Sequence, residues 1–142
     1  MTQPTSAPRP AIVNIAFWLV VAGAALLLAG GLLGLTSAFG TNQSEDSVRN
    51  LRVLLGGMSV LWVAAGMALS FFAGRARNGD LRFRRTVVAM AVAVVVLVFL
   101  LTLLAPFVIA YTEPVMFGIV PVAIGATLFM RPAASDWFLE VR

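Results

Sequence analysis

Cysteine, histidine and lysine are all absent from this chain of 142 residues. Without cysteine there is no disulfide, thiolate nucleophile or thiolate-bound metal, and the redox compartment cannot be inferred. Without histidine, His-ligated haem, zinc and copper are excluded, together with the commonest general base. No cofactor or metal is therefore expected. Charge is also scarce: Asp, Glu, Lys and Arg make up 11% of the chain, against about a quarter in soluble domains. Hydrophobic residues make up 61%, so the solvent for most of the chain is lipid. The net charge is +4, carried entirely by arginine. Those arginines flank apolar runs instead of forming a soluble basic face, which argues against nucleic acid as a partner.

What is present are four long apolar stretches. Residues 1–11 hold three prolines among Thr, Ser and Gln and are expected to be a disordered lead-in. Ile12 to Leu35 would be about 36 Å long as a helix, enough to cross a hydrocarbon core of roughly 30 Å. It is longer than the apolar region of a signal peptide and lacks a good cleavage site. The polar connection Thr36 to Asn50 contains Ser44, Glu45 and Asp46, a helix start that predicts a second helix beginning outside its apolar part. The second span is Val53 to Ala73, with Gly74 as its expected cap. The third is Thr86 to Tyr111. Its valine-rich section, Val92 to Val98, favours a strand by propensity, but a lone strand cannot satisfy its backbone in lipid, so a helix is expected. A short turn at Thr112 to Pro114 leads to the fourth span, Val115 to Met130, which contains Pro121. The predicted fold is a single all-α bundle of four transmembrane helices over residues 12–131, with both termini cytoplasmic. Residues 132–142, with Trp137, Phe138, Leu139 and Val141, are expected to lie as an interfacial cytoplasmic tail, which is also a possible docking peptide.

Orientation follows from the arginines. Gly74 to Arg85 carries Arg75, Arg77, Arg82, Arg84 and Arg85, and shares its predicted side with Arg9, Arg131 and Arg142; Arg49 and Arg52 fall on the other. The cluster is therefore placed in the cytoplasm, where its five guanidinium groups are expected to bind anionic lipid headgroups. The Asn78-Gly79 pair within it signals a turn. Asn42-Gln43-Ser44 matches the N-glycosylation pattern, which a three-residue chance match explains.

No ionisable residue lies inside the apolar spans, so proton-coupled transport has no obvious carrier, and the scattered acids Glu113, Asp136 and Glu140 lack a companion base for catalysis. The polar groups Asn14, Ser59, Ser70, Thr102 and Thr127 are expected to bond helix carbonyls or neighbouring helices. Small residues are better organised. Gly23, Gly30 and Gly34 repeat on the first helix, and Gly66, Ser70 and Gly74 on the second, with Ser59 one heptad earlier. Such ridges serve either packing within one bundle or a docking face for a homo-oligomer or larger membrane complex. Trp18 and Tyr111 are expected to anchor at the interfaces, and Trp62 to lie in the core or against lipid.

The stretches AFWLVVAGAALLLAGGLLGL (Ala16 to Leu35) and LWVAAGMALSFFAGRARNGDLRFRR (Leu61 to Arg85), with arginine used to the exclusion of lysine, resemble uncharacterised four-helix integral membrane proteins of high-GC actinobacteria. The resemblance implies a multi-pass protein of a bacterial plasma membrane and no particular activity. The expected role is that of a non-enzymatic accessory or structural component of a membrane complex. The alternative is a small carrier or channel for a neutral or apolar solute, with its path at Gly118 and Pro121.

Overall fold

Each apolar stretch is a helix, because in hydrocarbon only intrahelical hydrogen bonds can satisfy an isolated segment's backbone. In the computed structural model, which describes residues 10–40, 46–104, 113–134 and 136, the helices are α1 (Ala11–Gly40), α2 (Asp46–Arg77), α3 (Leu81–Leu104) and α4 (Glu113–Met130). All four are long and apolar enough to cross a membrane. The chain is therefore an all-α multi-pass membrane protein. The valine run of α3 is helical throughout, so the demand of the lipid overrides β propensity.

The boundaries differ from the sequence expectation in physically readable ways. Helix α1 runs on past Leu35 to Gly40, with the Thr36 and Ser37 hydroxyls both donating to the Leu33 carbonyl, at 2.8 and 3.0 Å. Helix α2 begins at Asp46, ahead of its apolar part as expected. It also continues through Gly74, which is therefore not its cap. The cap is Gly79, whose φ of 92° is a left-handed conformation that glycine adopts without steric cost. The Asn78 and Gly79 N–H groups donate to the carbonyls of Arg75 and Ala76 at 3.1 and 3.0 Å, which closes the end of α2. The expected arginine loop is thus a three-residue turn between two helices. Glu113 and Pro114 belong to α4 instead of a preceding turn. Proline costs little there because first-turn N–H groups have no intrahelical acceptor. After a bend at Arg131 a further turn brings Ala134 into the core, fully buried.

The lead-in 1–9, the Ser44–Glu45 start, the Asn42-Gln43-Ser44 pattern, residues 105–112 with Tyr111, and residues 137–142 of the tail with Arg142 lie outside the described residues.

The helices alternate in direction around a ring. Along α1, Ala24 and Leu28 meet Gly66 while Gly31 meets Ser59 and Val63, so α2 runs antiparallel to α1. On its other side Val20 meets Gly125, Gly23 meets Gly118 and Val122, and Gly30 meets Val115, so α4 is antiparallel as well. Helix α3 lies across the ring from α1 and touches α2 and α4 less closely than α1 does. Trp62, Phe129, Leu27 and Leu69 are the largest side chains of the buried centre. This ring gathers the start of α1, the end of α2, the start of α3 and the end of α4 at one end of the molecule.

Candidate functional site

That end carries the arginines. Among the described residues it holds Arg75, Arg77, Arg82, Arg84, Arg85 and Arg131 against Asp80 and Asp136, a balance of +4. Among the described residues the opposite end holds Arg49 and Arg52 against Asp46 and Glu113, a balance of zero. The tight turn is what concentrates the charge. The Asp80 carboxylate accepts the Arg82 N–H at 2.9 Å, and its carbonyl accepts the Arg84 N–H at 3.1 Å, so α3 is N-capped immediately after Gly79 and the arginines enter its first turn.

Two of the five arginines of the hairpin lie over aromatic rings. Arg75 lies over the rings of Phe71 and Phe83, at 5.6 and 5.8 Å from their centroids. Phe83 in turn stacks on Phe72 at 5.7 Å. Arg77 reaches across to α1, where its guanidinium lies 4.7 Å from the centre of the Phe17 ring. These cation–π contacts tie α1, α2 and α3 together at the membrane face. The Nε of Arg77 is buried and meets no hydrogen-bond acceptor among the described residues, so the aromatic face is the partner on view. Arg82, Arg85 and Arg131 project outward, whereas Arg84 is half-buried. Trp18 is also exposed at this end, edge-on to Phe17 at 5.2 Å.

The glycine positions divide by direction. A Cβ on Gly23 would stand 2.6 Å from the Gly118 carbonyl, one on Gly30 would stand 2.6 Å from the Val115 side chain, and one on Gly66 would stand 2.7 Å from the Ala24 carbonyl. At Gly23 and Gly66 the neighbour is a backbone carbonyl, an approach that only glycine permits and that suits Cα–H···O=C pairing between helices. Gly34 is buried in α1. Ser70 is half-buried, and a Cβ on Gly74 would meet nothing within 4 Å. Gly31, which falls outside the Gly23, Gly30 and Gly34 repeat, packs against α2, where an added Cβ would stand 2.8 Å from the Ser59 carbonyl. The hydroxyls of Ser59, Thr102 and Thr127 bond back to Leu55, Val98 and Ile124 carbonyls at 2.7, 2.8 and 2.7 Å. Asn14 Oδ1 and the Trp62 indole nitrogen are buried with no such partner among the described residues.

Gly118 itself is packed against Leu26 and Leu27 of α1, so the region expected to offer a solute path is filled by a neighbouring helix. The open space lies on the other side of α4. Between α3 and α4 runs an apolar groove of about 190 Å³, walled by Val88, Val92 and Val96 on one side and by Ala123, Thr127 and Met130 on the other. Its origin is compositional. Helix α3 contains no glycine, so its branched side chains hold it away from α4 at the depth where α1 can approach closely. Arg131, which directly follows Met130 at the mouth of this groove, has no role in the sequence reading beyond topology; the signal was its place at the end of α4.

Comparison of the chain with protein-family models, curated proteins and solved structures finds no match.

Proposed function

We propose that this membrane protein is a non-enzymatic accessory or structural component of a plasma-membrane complex, seated with its arginine end in the cytoplasm against anionic lipid. The observation that carries this reading is the way α1 is held. Its glycines face α4 at Gly23 and Gly30 and face α2 at Gly31. These three helices therefore make a solid scaffold, and large apolar side chains such as Phe99, Leu103 and Phe117, 64%, 65% and 71% exposed, remain on the outside for lipid or a partner. The +4 end supports the orientation through the positive-inside preference. A photo-reactive residue at Phe99 or Leu103 in native membranes tests the role. A discrete adduct with another membrane protein is expected, abolished when that partner is deleted; adducts with lipid alone overturn the reading.

A carrier for a neutral or apolar solute is the second reading. The α3–α4 groove is the feature that favours it, in place of the occupied region at Gly118.

A further inference from the structure

The α3–α4 groove runs toward the end of the molecule that carries the arginines. The lining of α3 follows helical spacing, and extending it one turn outward from Val88 leads to Arg85, three residues earlier and exposed. On α4 the lining ends at Met130, and the exposed Arg131 comes next. From Val88 to Val96 the groove spans about 12 Å of helix rise, close to the roughly 15 Å that one leaflet contributes to the hydrocarbon core. It starts at the charged end and runs toward the midplane.

Its chemistry restricts the occupant. The one hydroxyl in the lining, that of Thr127, is already used by the Ile124 carbonyl at 2.7 Å. Water is held in cavities by two to four polar partners, and beyond the accepting lone pairs of that one hydroxyl the lining is apolar. A groove of this size and apolar lining, open sideways, suits hydrocarbon. A hydrocarbon chain entering from the arginine end carries its headgroup to that end, beside two exposed guanidinium groups suited to a phosphate.

We propose that the α3–α4 groove seats one acyl chain of an anionic glycerophospholipid whose headgroup phosphate is bound by Arg85 and Arg131. This rests on the reading of the arginine end as a lipid-facing surface and assigns it a bound lipid with defined residues.

The test uses the full chain, delipidated in a nonionic detergent and titrated by native mass spectrometry. The probes are phosphatidylglycerol, phosphatidylcholine with the same chains, and glycerol phosphate, which has no chains. One phosphatidylglycerol is expected to bind with a preference over phosphatidylcholine of roughly fivefold per arginine. The double variant Arg85→Gln/Arg131→Gln should remove the preference. Ala123→Phe, at a half-buried position in the groove wall, should eliminate the single tight site; Val92→Phe does the same from the exposed opposite wall if Ala123→Phe fails to fold. If wild-type protein prefers phosphatidylglycerol but both groove variants bind it unchanged, the groove is not the seat, while the lipid-facing reading survives. If wild type shows no preference, both fail. Glycerol phosphate binding as tightly as the lipid would also overturn the proposal, because the chain would then contribute nothing.

Discussion

Gly66 and Gly74 lie on the same helix at a spacing of two four-residue steps, yet they should respond to alanine with opposite sign. A methyl at Gly66 meets the Ala24 carbonyl at 2.7 Å, and backbone cannot move aside cheaply, so Gly66→Ala is expected to lose about 1–3 kcal/mol. At Gly74 nothing lies within 4 Å, and removing glycine from a helix interior should gain about 0.5–1 kcal/mol. Thermal unfolding in detergent reads both. The four-residue repeat by itself predicts a single ridge. Each such step turns the side chain about 40° on a helix of 3.6 residues per turn, so by Gly74 the ridge has rotated about 80° away from α1. The heptad from Gly23 to Gly30 drifts only about 20° in the other direction, which is why those two share a face. The contact of Arg77 with Phe17 could not be read from sequence at all, because it joins positions 60 residues apart. Phe17→Leu and Arg77→Gln should each cost about 0.5–2 kcal/mol, and the double variant little more than either alone.

Among the elements, the hairpin joining α2 to α3 depends on Gly79 and Asp80. Asp80→Ala removes the acceptor for the Arg82 N–H and is expected to destabilise by about 0.5–2 kcal/mol, visible as a lower unfolding temperature with unchanged helix content. Replacing Arg82, Arg84 and Arg85 with Gln should weaken retention of anionic lipid and raise the fraction of inverted molecules. If orientation alone shifts, the cluster is a topology signal without a lipid role. The number, type and order of the helices were legible because the length of each apolar run and the demand of the backbone in lipid leave no other solution. Their neighbours were not. Nothing local says that α1 lies across from α3, or that Gly118 faces α1 instead of opening a path. The absence of glycine in α3 was visible, but its consequence, a gap beside α4, needs the partner helix in place. Being held less closely, α3 should exchange its amide hydrogens before α1 does in hydrogen-exchange measurements in detergent.

For the whole molecule the charge difference between its two ends is expected to set the orientation, and the cysteine-free chain allows a direct check. A cysteine at Asn50 should react with a membrane-impermeant thiol reagent in intact cells, and one at Asn78 should stay unlabelled until the membrane is opened; both side chains are exposed. The reverse pattern would show the opposite orientation. The ring order has a further consequence, for the time the protein takes to be made. Helix α1 ends at Gly40, and its partner α4 begins only at Glu113. At ribosomal rates of about 5–20 residues per second, the intervening chain takes roughly 4–15 s to emerge. Throughout that interval α1 can pair with α2 through Gly31 and Gly66, but the face bearing Gly23 and Gly30 has no match. A newborn chain thus passes through a three-helix stage with one seam unsealed, and a ribosome that stops before α4 leaves the face of Gly23 and Gly30 unfilled.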